Sequence, residues 1–333
     1  MPSLLRRFAL CACTGAAFIL MGTLLHKALP LRVPEVSQKV DYLKAHRQDF
    51  DTVFIGSSRI YHGVAPKVFD AVMAANGRPT RSFNLGIDGM MPPESIHMAR
   101  QLVAIHPPRL KTVFLEVATA QDLPDPDDLS VRDIYFQDTD SLVHGARRAM
   151  NDLHGNPPDH RWRAAAEDFS GTIQTFVRNE MNIGRLAIEA DLGDMPEWLQ
   201  RSRPSSVGDG YLPKFPTLTK HSLIKLESQV QRIRIGAVKV QPTDQLTKED
   251  YALTRELLNK HGITLVLMTA PVALPGFHAQ DQAPPDIRLL SFDNPGLHPE
   301  LFLPENRCNS DHLNDKGARI FSKELAEAYL SGQ

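Results

Sequence analysis

Short apolar runs alternate with amphipathic stretches in the first third of the chain. Each run ends in small or polar residues, a pattern typical of buried strands that are followed by tight turns. The stretches between the runs have apolar residues spaced three and four apart, which predicts helices. We therefore expect strands at Thr52–Ile55, 82–86 and 113–117, with helices at 64–76 and Glu94–Ile105 between them.

The same alternation returns near the C-terminus. An amphipathic stretch at 247–260 precedes a β-branched apolar run at 263–268, and a short run at 289–292 and a final helical pattern follow. Strands that alternate with helices in this way form parallel sheets through right-handed crossovers. The sequence therefore predicts an α/β fold, with a flavodoxin-like three-layer arrangement around a parallel sheet.

Residues 122–245 interrupt this pattern. They contain no clear buried strand, two helical stretches at 141–153 and 161–190, and a turn-rich stretch at 201–216. We interpret them as a helical insertion that caps the core, and a loosely ordered spacer is the alternative. The chain then divides into a membrane anchor or signal segment (1–30), the first part of the core (31–121), the insertion (122–245) and the second part of the core (246–333).

The N-terminus has the pattern of a membrane-targeting segment. Arg6 and Arg7 precede an uncharged, mostly apolar run at 8–25, close to the length of about 20 residues that a membrane-spanning helix needs. The arginines predict a cytoplasmic N-terminus, so the rest of the chain would be a soluble domain in the periplasm or another extracytoplasmic space. A cleaved signal peptide, and hence a secreted protein, is the alternative. Because no clean small-x-small cleavage site follows the run, we favour an uncleaved single-pass inner-membrane anchor.

Composition and charge exclude several other classes. The apolar fraction of 42%, the charged fraction of 23% and the net charge of −2 are ordinary for a globular protein and do not indicate nucleic-acid binding. Cys11 and Cys13 lie in the apolar run, which leaves Cys308 without an internal disulfide partner. The 13 histidines form no cluster with the spacing of metal ligands. We therefore expect neither a metal nor a cofactor.

Candidate chemistry lies where the predicted strands end. Ser57 and Ser58 follow the first strand, and a serine at such a strand-to-helix turn is exposed at the carboxyl edge of the sheet, near helix amides. That geometry suits a nucleophile, although serine is also simply a good turn former. Asn84 and Gly86 end the second strand, and His312 precedes the last helix. All of these residues are expected at one edge of the sheet.

The order of these segments resembles the SGNH/GDSL hydrolase superfamily. Ile55-Gly-Ser-Ser-Arg59 is similar to its first block, Asn84-Leu-Gly-Ile-Asp-Gly89 to its second, and Asp311-His-Leu-Asn-Asp-Lys-Gly317 to its last. The resemblance covers residues 50–120 and 245–330. The Gly-Ser-Ser form and the predicted anchor look more like the envelope-modifying members, the DltD-like and alginate-acetylation-like proteins, than like the secreted lipases.

The resemblance implies a role for each matching residue. Ser58 would be the nucleophile, with Ser57 as its structural neighbour, and His312 would be the base. The Gly86 amide would donate to the oxyanion of a tetrahedral intermediate, together with the amide of Ser58. Asn84 would either support the Ser58 turn or simply end the strand.

The chain departs from the family pattern in two places. One is the residue that orients the histidine, and the other is the third block. The family has an acid three residues before the histidine, whereas Asn309 stands there in this chain. Asparagine can orient a histidine but carries no charge. Asp311, next to His312, is the alternative partner. The third block, usually Gly-x-Asn-Asp, is missing, and the segment that begins at Glu116 offers no obvious side-chain amide.

The predicted function is that of a serine-dependent acyl-ester hydrolase or O-acyl(acetyl)transferase. The resemblance implies an acyl ester or polysaccharide substrate, such as acetyl groups on a cell-envelope glycan, and the acyltransferase machinery of the envelope as a partner. Arg59 would bind an acidic group of the substrate or would be a solvated residue at a helix start. A non-catalytic SGNH-like envelope scaffold or glycan-binding protein is the alternative.

Overall fold

The computed structural model describes residues 2–28, 32–90, 92–117, 131–136, 138–155, 158–180, 208–216, 218–236, 245–273 and 283–332. Contacts divide the chain into two compact units. The first, called the helical unit below, contains residues 1–37 and 124–202, and the second, called the core unit, contains residues 38–123 and 203–333.

The core unit is built on one parallel sheet. Its strands are β1 (Thr52–Ile55), β2 (Ser82–Asn84), β3 (Thr112–Glu116), β4 (Thr264–Met268) and β5 (Leu289–Leu290). Their spatial order is β2-β1-β3-β4-β5, and every neighbouring pair is parallel. This is the strand order of flavodoxin-like doubly wound folds. The prediction of an α/β fold with a parallel sheet is confirmed, and β1 has the bounds expected from the sequence.

Helices are present in both units of the described chain. They are α1 (Pro2–Ala28), α2 (Pro34–Ala45), α3 (Ser58–Tyr61), α4 (Pro66–Ala75), α5 (Glu94–Ile105), α6 (Val131–Phe136), α7 (Thr139–Gly155), α8 (Pro158–Glu180), α9 (Lys220–Arg234), α10 (Gln245–Lys260) and α11 (Asp315–Ser331). Two 3-10 helices, Pro299–Phe302 and Pro304–Asn306, precede α11.

Aromatic side chains form the centre of the core. The rings of Phe54 on β1 and Phe114 on β3 stack with centroids 4.9 Å apart, and Phe69 of α4 meets Phe54 edge-on at 5.0 Å. Phe321 of α11 belongs to the same buried cluster. Such offset and edge-to-face arrangements are the favoured geometries of aromatic pairs. Helices α4 and α11 pack together over this cluster, while α5 packs with α10, which is consistent with a three-layer α/β fold.

Helix α9 belongs to the core unit, although the sequence placed it in the insertion. Leu226 is buried in the core cluster, and Val230 and Ile233 pack partly buried against it. These positions lie on one face of a helix. Contacts therefore group residues from 203 onward with the core, whereas the predicted insertion extended to residue 245.

The helical unit contains α7 and α8, which pack along each other. Gly145 of α7 allows this close approach. A Cβ at that position would collide with the side chain of Thr172 on α8, because three of its atoms would lie within 2.9 Å. The prediction of two helices here is confirmed, and residues 181–190 of the second prediction lie outside the described residues. Within the described part of the chain, no helix has both the length and the apolar character that crossing a bilayer requires.

Candidate active site

The candidate site lies where the strand order of the sheet reverses. From β1 the chain moves outward to β2 on one side, and from β3 it moves outward to β4 on the other. In open α/β sheets the crevice outside the carboxyl ends of the strands at this point is the usual ligand site. Here the carboxyl ends of β1 and β3 carry Gly56 and Glu116 respectively.

Ser57 holds the turn between β1 and α3. Its amide donates to Glu116 Oε2 at 2.6 Å, and its hydroxyl accepts the Arg59 amide at 3.2 Å as the N-cap of α3. A Cβ at Gly56 would lie 2.6 Å from atoms of Glu116, so only glycine fits this approach. Ser57 is buried and its hydroxyl is engaged by Arg59, which leaves the next residue, Ser58, as the candidate nucleophile.

Ser58 and His312 form a hydrogen-bonded pair. The distance from Ser58 Oγ to His312 Nε2 is 2.7 Å, although the two residues are 254 positions apart in the chain. Both side chains are partly exposed. This is the separation expected between a serine nucleophile and the base that accepts its proton.

Asn309 fixes the tautomer of His312. Its Oδ1 accepts the amides of Asp311 at 2.9 Å and of His312 at 2.8 Å, and it lies 3.0 Å from His312 Nδ1. Backbone amides only donate, so the Asn309 atom that meets all three groups is the carbonyl oxygen. Nδ1 therefore carries a proton, and the lone pair on Nε2 faces Ser58 Oγ.

Asp311 does not meet the ring of its neighbour. Its carboxylate accepts the Ser310 hydroxyl at 3.0 Å and lies 3.6 Å from Lys225 Nζ, with the side chain 40% exposed. Asn309 already occupies the position at His312 Nδ1. The alternative in which Asp311 orients the histidine is therefore not supported.

Arg307 holds the loop that carries Asn309 and His312. The side chain is fully buried, and its guanidinium donates to the carbonyls of Asn309 at 3.2 Å and Ser310 at 2.7 Å. It also donates to the carbonyls of Pro271 and Leu301, which anchors the loop to the ends of two other segments. Five donors in a rigid fork suit this task. Sequence reasoning missed this residue because its four partners are backbone carbonyls that no motif marks.

Arg59 and Glu116 form a buried ion pair. Arg59 Nε lies 2.8 Å from Glu116 Oε1, and the two side chains are 9% and 3% exposed. Neither predicted role of Arg59 is supported. The guanidinium is directed at this carboxylate and not at a substrate group, and the side chain is buried and not solvated. Glu116 stands where the third family block was sought. It supports the Ser57 turn. Sequence reasoning missed this role, although a carboxylate at the end of a buried strand could have indicated it.

Asn84 supports the segment that follows Ser58. Its Nδ2 donates to the carbonyls of Ile60 at 2.8 Å and Val64 at 2.7 Å, and its Oδ1 accepts the Gly86 amide at 2.9 Å. The Gly86 amide is thus engaged within the fold, and its predicted role in an oxyanion hole is not supported. The Ser58 amide, in the first turn of α3, has no hydrogen bond to any residue that the structure describes.

Residues 208–214, here called the strap, lie next to the candidate site. The carbonyl of Asp209 accepts the Asn84 amide at 2.7 Å, and the carbonyl of Gly210 accepts Lys39 Nζ at 2.9 Å. The carbonyl of Lys214 accepts the Asp315 amide at 2.8 Å. Sequence reasoning noted only the turn-rich character of this stretch. Its bonds to β2 and to the start of α11 place it beside both site loops.

The surroundings of His312 favour its neutral form. Burial, followed by the positive charges of Lys214 and His62, lowers the pKa of His312 from 6.5 to about 3, against an opposing effect of Asp311. The imidazole is therefore a free base at neutral pH. In that form Nε2 accepts a hydrogen bond from the Ser58 hydroxyl, which agrees with the tautomer set by Asn309.

A comparison with models of known protein families and with curated proteins finds no match to this chain. No group of three or more His, Cys, Asp or Glu side chains in the described ranges is arranged to hold a metal ion.

Of the predicted site residues, the structure brings together Ser58, His312 and Asn309 as a hydrogen-bonded series. It assigns Asn84 to the support of the Ser58 segment and leaves Asp311 facing Lys225. A serine, a base and an orienting amide in this order match the arrangement used in nucleophilic catalysis.

Proposed function

We propose that the chain is a serine-dependent enzyme that acts on acyl esters, as a hydrolase or an O-acyltransferase. The observation that carries this proposal is the series from Ser58 Oγ to His312 Nε2 at 2.7 Å and from His312 Nδ1 to Asn309 Oδ1 at 3.0 Å. The resemblance of three motifs to the SGNH/GDSL hydrolases supports it. By that resemblance, the ester belongs to a cell-envelope glycan or a similar polymer.

The proposed reaction proceeds in two steps. Ser58 Oγ attacks the ester carbonyl while His312 Nε2 takes the hydroxyl proton, and a tetrahedral intermediate forms. The C–O bond to the leaving alcohol then breaks, and His312 returns the proton to that alcohol, leaving an acyl-serine. A water or a sugar hydroxyl resolves the acyl-serine by the same steps in reverse, which yields an acid or a new ester.

Two features set the strength of this site. The Ser58 amide lies in the first turn of α3 and supplies one donor for the oxyanion. Asn309 orients His312 but brings no negative charge to stabilise the imidazolium that forms in the transition state. We therefore expect slower turnover than a carboxylate-backed triad would give.

A serine-directed fluorophosphonate probe tests the nucleophile. We expect the wild-type chain to be labelled and to hydrolyse p-nitrophenyl acetate, and Ser58→Ala to lose both signals, because the attacking oxygen is absent. Ser57→Ala is the matched control. It removes the N-cap hydroxyl of α3, so it should cost about 1 kcal/mol of stability while labelling persists.

Labelling that survives in Ser58→Ala but disappears in Ser57→Ala would reverse the assignment of the two serines. Absence of labelling and of ester turnover in a folded wild-type chain would overturn the enzymatic proposal.

A second candidate is a non-catalytic envelope scaffold or glycan-binding protein with the same fold. The engaged Gly86 amide favours it, since that donor is missing from the oxyanion hole. The pKa of His312, lowered to about 3 mainly by burial, favours it too, because such an imidazole is a weak base. Calorimetric binding of envelope polysaccharide by the folded Ser58→Ala variant, with no ester turnover by the wild type, would support this candidate over the enzyme.

We further propose that the chain is held at the inner membrane by its N-terminal segment, with the core unit in the periplasm and an envelope acyltransferase machinery as partner. The support is the sequence alone: Arg6 and Arg7 ahead of an uncharged run at 8–25. A phosphatase reporter, active only outside the cytoplasm, fused after residue 48 should be active and membrane-bound. An inactive reporter would refute the orientation, and an active reporter released from the membrane would indicate signal cleavage.

A further inference from the structure

Lys39 is a buried lysine beside the candidate site that sequence reasoning did not single out. It lies on α2, in the part of that helix that belongs to the core unit, and it is 5% exposed. Tyr42, one turn later on the same helix, stacks its ring on that of Phe83 of β2, with centroids 5.7 Å apart. This contact holds the end of α2 against the sheet. Because a lysine is rarely buried unless its amino group is hydrogen-bonded, the contacts of Nζ indicate what the residue does.

The amino group of Lys39 donates to three backbone carbonyls. Nζ lies 2.5 Å from the oxygen of Gly86, 2.9 Å from that of Gly210 and 3.2 Å from that of Asn84. It also lies 3.5 Å from the centre of the Tyr61 ring, which belongs to α3. A lysine side chain has three N–H donors and no acceptor, and three carbonyls match that set.

The shortest of these bonds begins a chain of hydrogen bonds that ends at the turn between β1 and α3. The peptide unit that presents the Gly86 carbonyl to the lysine also carries the Ile87 amide, which donates to the Gly56 carbonyl at 2.9 Å. The peptide unit of that second carbonyl carries the Ser57 amide, which donates to Glu116 Oε2 at 2.6 Å. The two peptide units, Gly86–Ile87 and Gly56–Ser57, are called the relay below.

Every hydrogen bond along the relay points the same way. Each peptide unit accepts through its carbonyl on the side of Lys39 and donates through its amide on the side of Glu116. All four residues of the relay are buried. In such a chain each bond polarises the next, and the effect is larger where water is excluded. A change at one end is therefore expected to be felt at the other.

The relay sets the position of Ser58. Ser57 caps α3, and Ser58 is the first residue of that helix. The orientation of the Gly56–Ser57 peptide unit therefore fixes the direction in which α3 starts, and with it the place of the Ser58 hydroxyl and amide. The two other bonds of Lys39 hold the end of β2 and the strap around the same turn.

We propose that Lys39 is a positioning residue for Ser58, which acts through the relay and does not touch the substrate. Its effect on catalysis rests on the function proposed above, whereas the relay itself does not depend on that function. Loss of the amino group withdraws a donor from the Gly86 carbonyl, weakens the bond from Ile87 and loosens the Ser57 amide at the far end. A lysine that only fills space between α2, β2 and the strap would have none of these effects.

Amide proton chemical shifts of the full chain test the relay directly. In Lys39→Met, which keeps the length of the side chain and removes its donors, the Ile87 and Ser57 amide protons should move upfield, Ile87 by the larger amount. Lys39→Arg keeps N–H donors, so both protons should lie closer to their wild-type positions. Glu116→Gln weakens the acceptor at the other end, and there Ser57 should move more than Ile87.

Val40 supplies a matched control. It follows Lys39 on α2 and is 3% exposed. Val40→Ala truncates a buried side chain of the same helix, so it should lower the free energy of unfolding and leave the Ile87 and Ser57 amide protons in place. Equal movement of these protons in Val40→Ala and Lys39→Met would mean that the packing of α2 sets the turn, and it would overturn the inference.

The rate at which the fluorophosphonate probe labels Ser58 measures the effect on the nucleophile. We expect it to fall about tenfold in Lys39→Met, because a small displacement of a reacting group is costly, and to stay near the wild-type value in Val40→Ala. If both ends act through one relay, the double variant Lys39→Met/Glu116→Gln should be labelled faster than the product of the two single losses predicts. Losses that simply multiply would count against the relay.

Unmoved Ile87 and Ser57 amide protons in a folded Lys39→Met chain overturn the inference. If that variant does not fold, Glu116→Gln decides, since an Ile87 amide proton that stays in place there refutes the relay. If the protons move as expected and the wild type is neither labelled nor active on esters, the enzymatic proposal fails and the relay stands. If the wild type is labelled and Lys39→Met is labelled equally fast, the positioning role fails and the enzymatic proposal stands.

Discussion

At the scale of single residues, Asn309 is the decisive departure from a serine triad with an acid. One amide oxygen accepts two backbone amides and the Nδ1 proton of His312, so the side chain shapes the loop and selects the tautomer together. It brings no charge, and this absence leaves burial and the neighbouring cations to set the pKa of His312 near 3. Orientation and basicity, which one aspartate usually supplies together, are separated here.

Asn309→Asp should therefore strengthen the base. A carboxylate beside Nδ1 stabilises the imidazolium and raises the pKa of His312 from about 3, while the histidine stays neutral, and thus competent, at pH 7. We expect kcat/KM for p-nitrophenyl acetate at pH 7 to rise roughly tenfold, with the acid limb of the pH profile moving to higher pH.

Two further variants separate the effect of the new charge in Asn309→Asp from the effect of the hydrogen bonds that Asn309 accepts. Asn309→Ala leaves the amides and Nδ1 without their acceptor, so activity should fall by about a hundredfold. Asp311→Asn removes a charge that faces Lys225 instead of the ring, and turnover should stay near the wild-type value. A fall in kcat/KM for Asn309→Asp in a folded chain would show that a charge at this position disturbs the loop more than it helps the base.

At the scale of elements, the start of α11 sets the position of the base. Asn314 caps the helix by accepting the Gly317 amide at 3.0 Å, and its Nδ2 donates to the carbonyls of Glu305 at 2.8 Å and Arg307 at 3.3 Å. Gly317 is required because a Cβ there would collide with the Asn306 carbonyl. Asn314, which is buried, thus starts α11 and also fixes the loop that carries His312.

Removing this cap should destabilise the core unit. Asn314→Ala loses the cap and removes the donor from the buried Arg307 carbonyl and the partly buried Glu305 carbonyl. We expect the free energy of unfolding in urea to fall by about 2 kcal/mol. Asn314→Asp keeps an acceptor for the Gly317 amide and loses only the two donations, so its loss should be about half as large. Equal losses in both variants would mean that the cap itself contributes little.

Elements differ in how far the sequence predicts them. The bounds of β1 and α5 follow from the sequence because one is a buried apolar run and the other has turn residues at both ends. Helix α3 has four residues, too few to show a period. It forms because Ser57 caps it and because Asn84 Nδ2 donates to the Ile60 carbonyl. Helix α9 has a clear apolar face, but its packing partner lies far away in the chain.

At the scale of the whole molecule, a site residue can be predicted from the sequence only when the residues that identify it lie close to it along the chain. Ser58 and His312 stand within local motifs, so their types and neighbours mark them. Glu116 and Arg307 act through partners on other segments. The strap follows residues 181–207, which lie outside the described residues. Their roles depend on the tertiary structure, which no single stretch encodes.

Burial of His312 also makes the stability of the whole molecule depend on pH. Its pKa is about 3 in the folded state and 6.5 as an ordinary histidine, so between these values the unfolded chain binds a proton that the folded chain does not. Stability therefore rises with pH across this window, by up to about 1.4 kcal/mol per unit, and levels off above pH 6.5.

Urea unfolding at pH 4.5 and pH 7 measures this slope. The loss on acidification should be smaller in His312→Gln than in the wild type, because the variant has no imidazole to protonate when it unfolds. His298→Gln serves as the control, with a partly exposed histidine removed from another part of the core unit. Equal slopes in the wild type and His312→Gln would contradict the lowered pKa.

The separation of 254 residues between nucleophile and base has a consequence for the timing of biosynthesis. A ribosome completes β1, its turn and β3 long before it reaches His312, and the cap of α11 comes still later. A nascent or truncated chain therefore exposes Ser58 without a partner to withdraw its proton. Under the proposed function, Ser58 becomes reactive only when the last segment has been translated and docked.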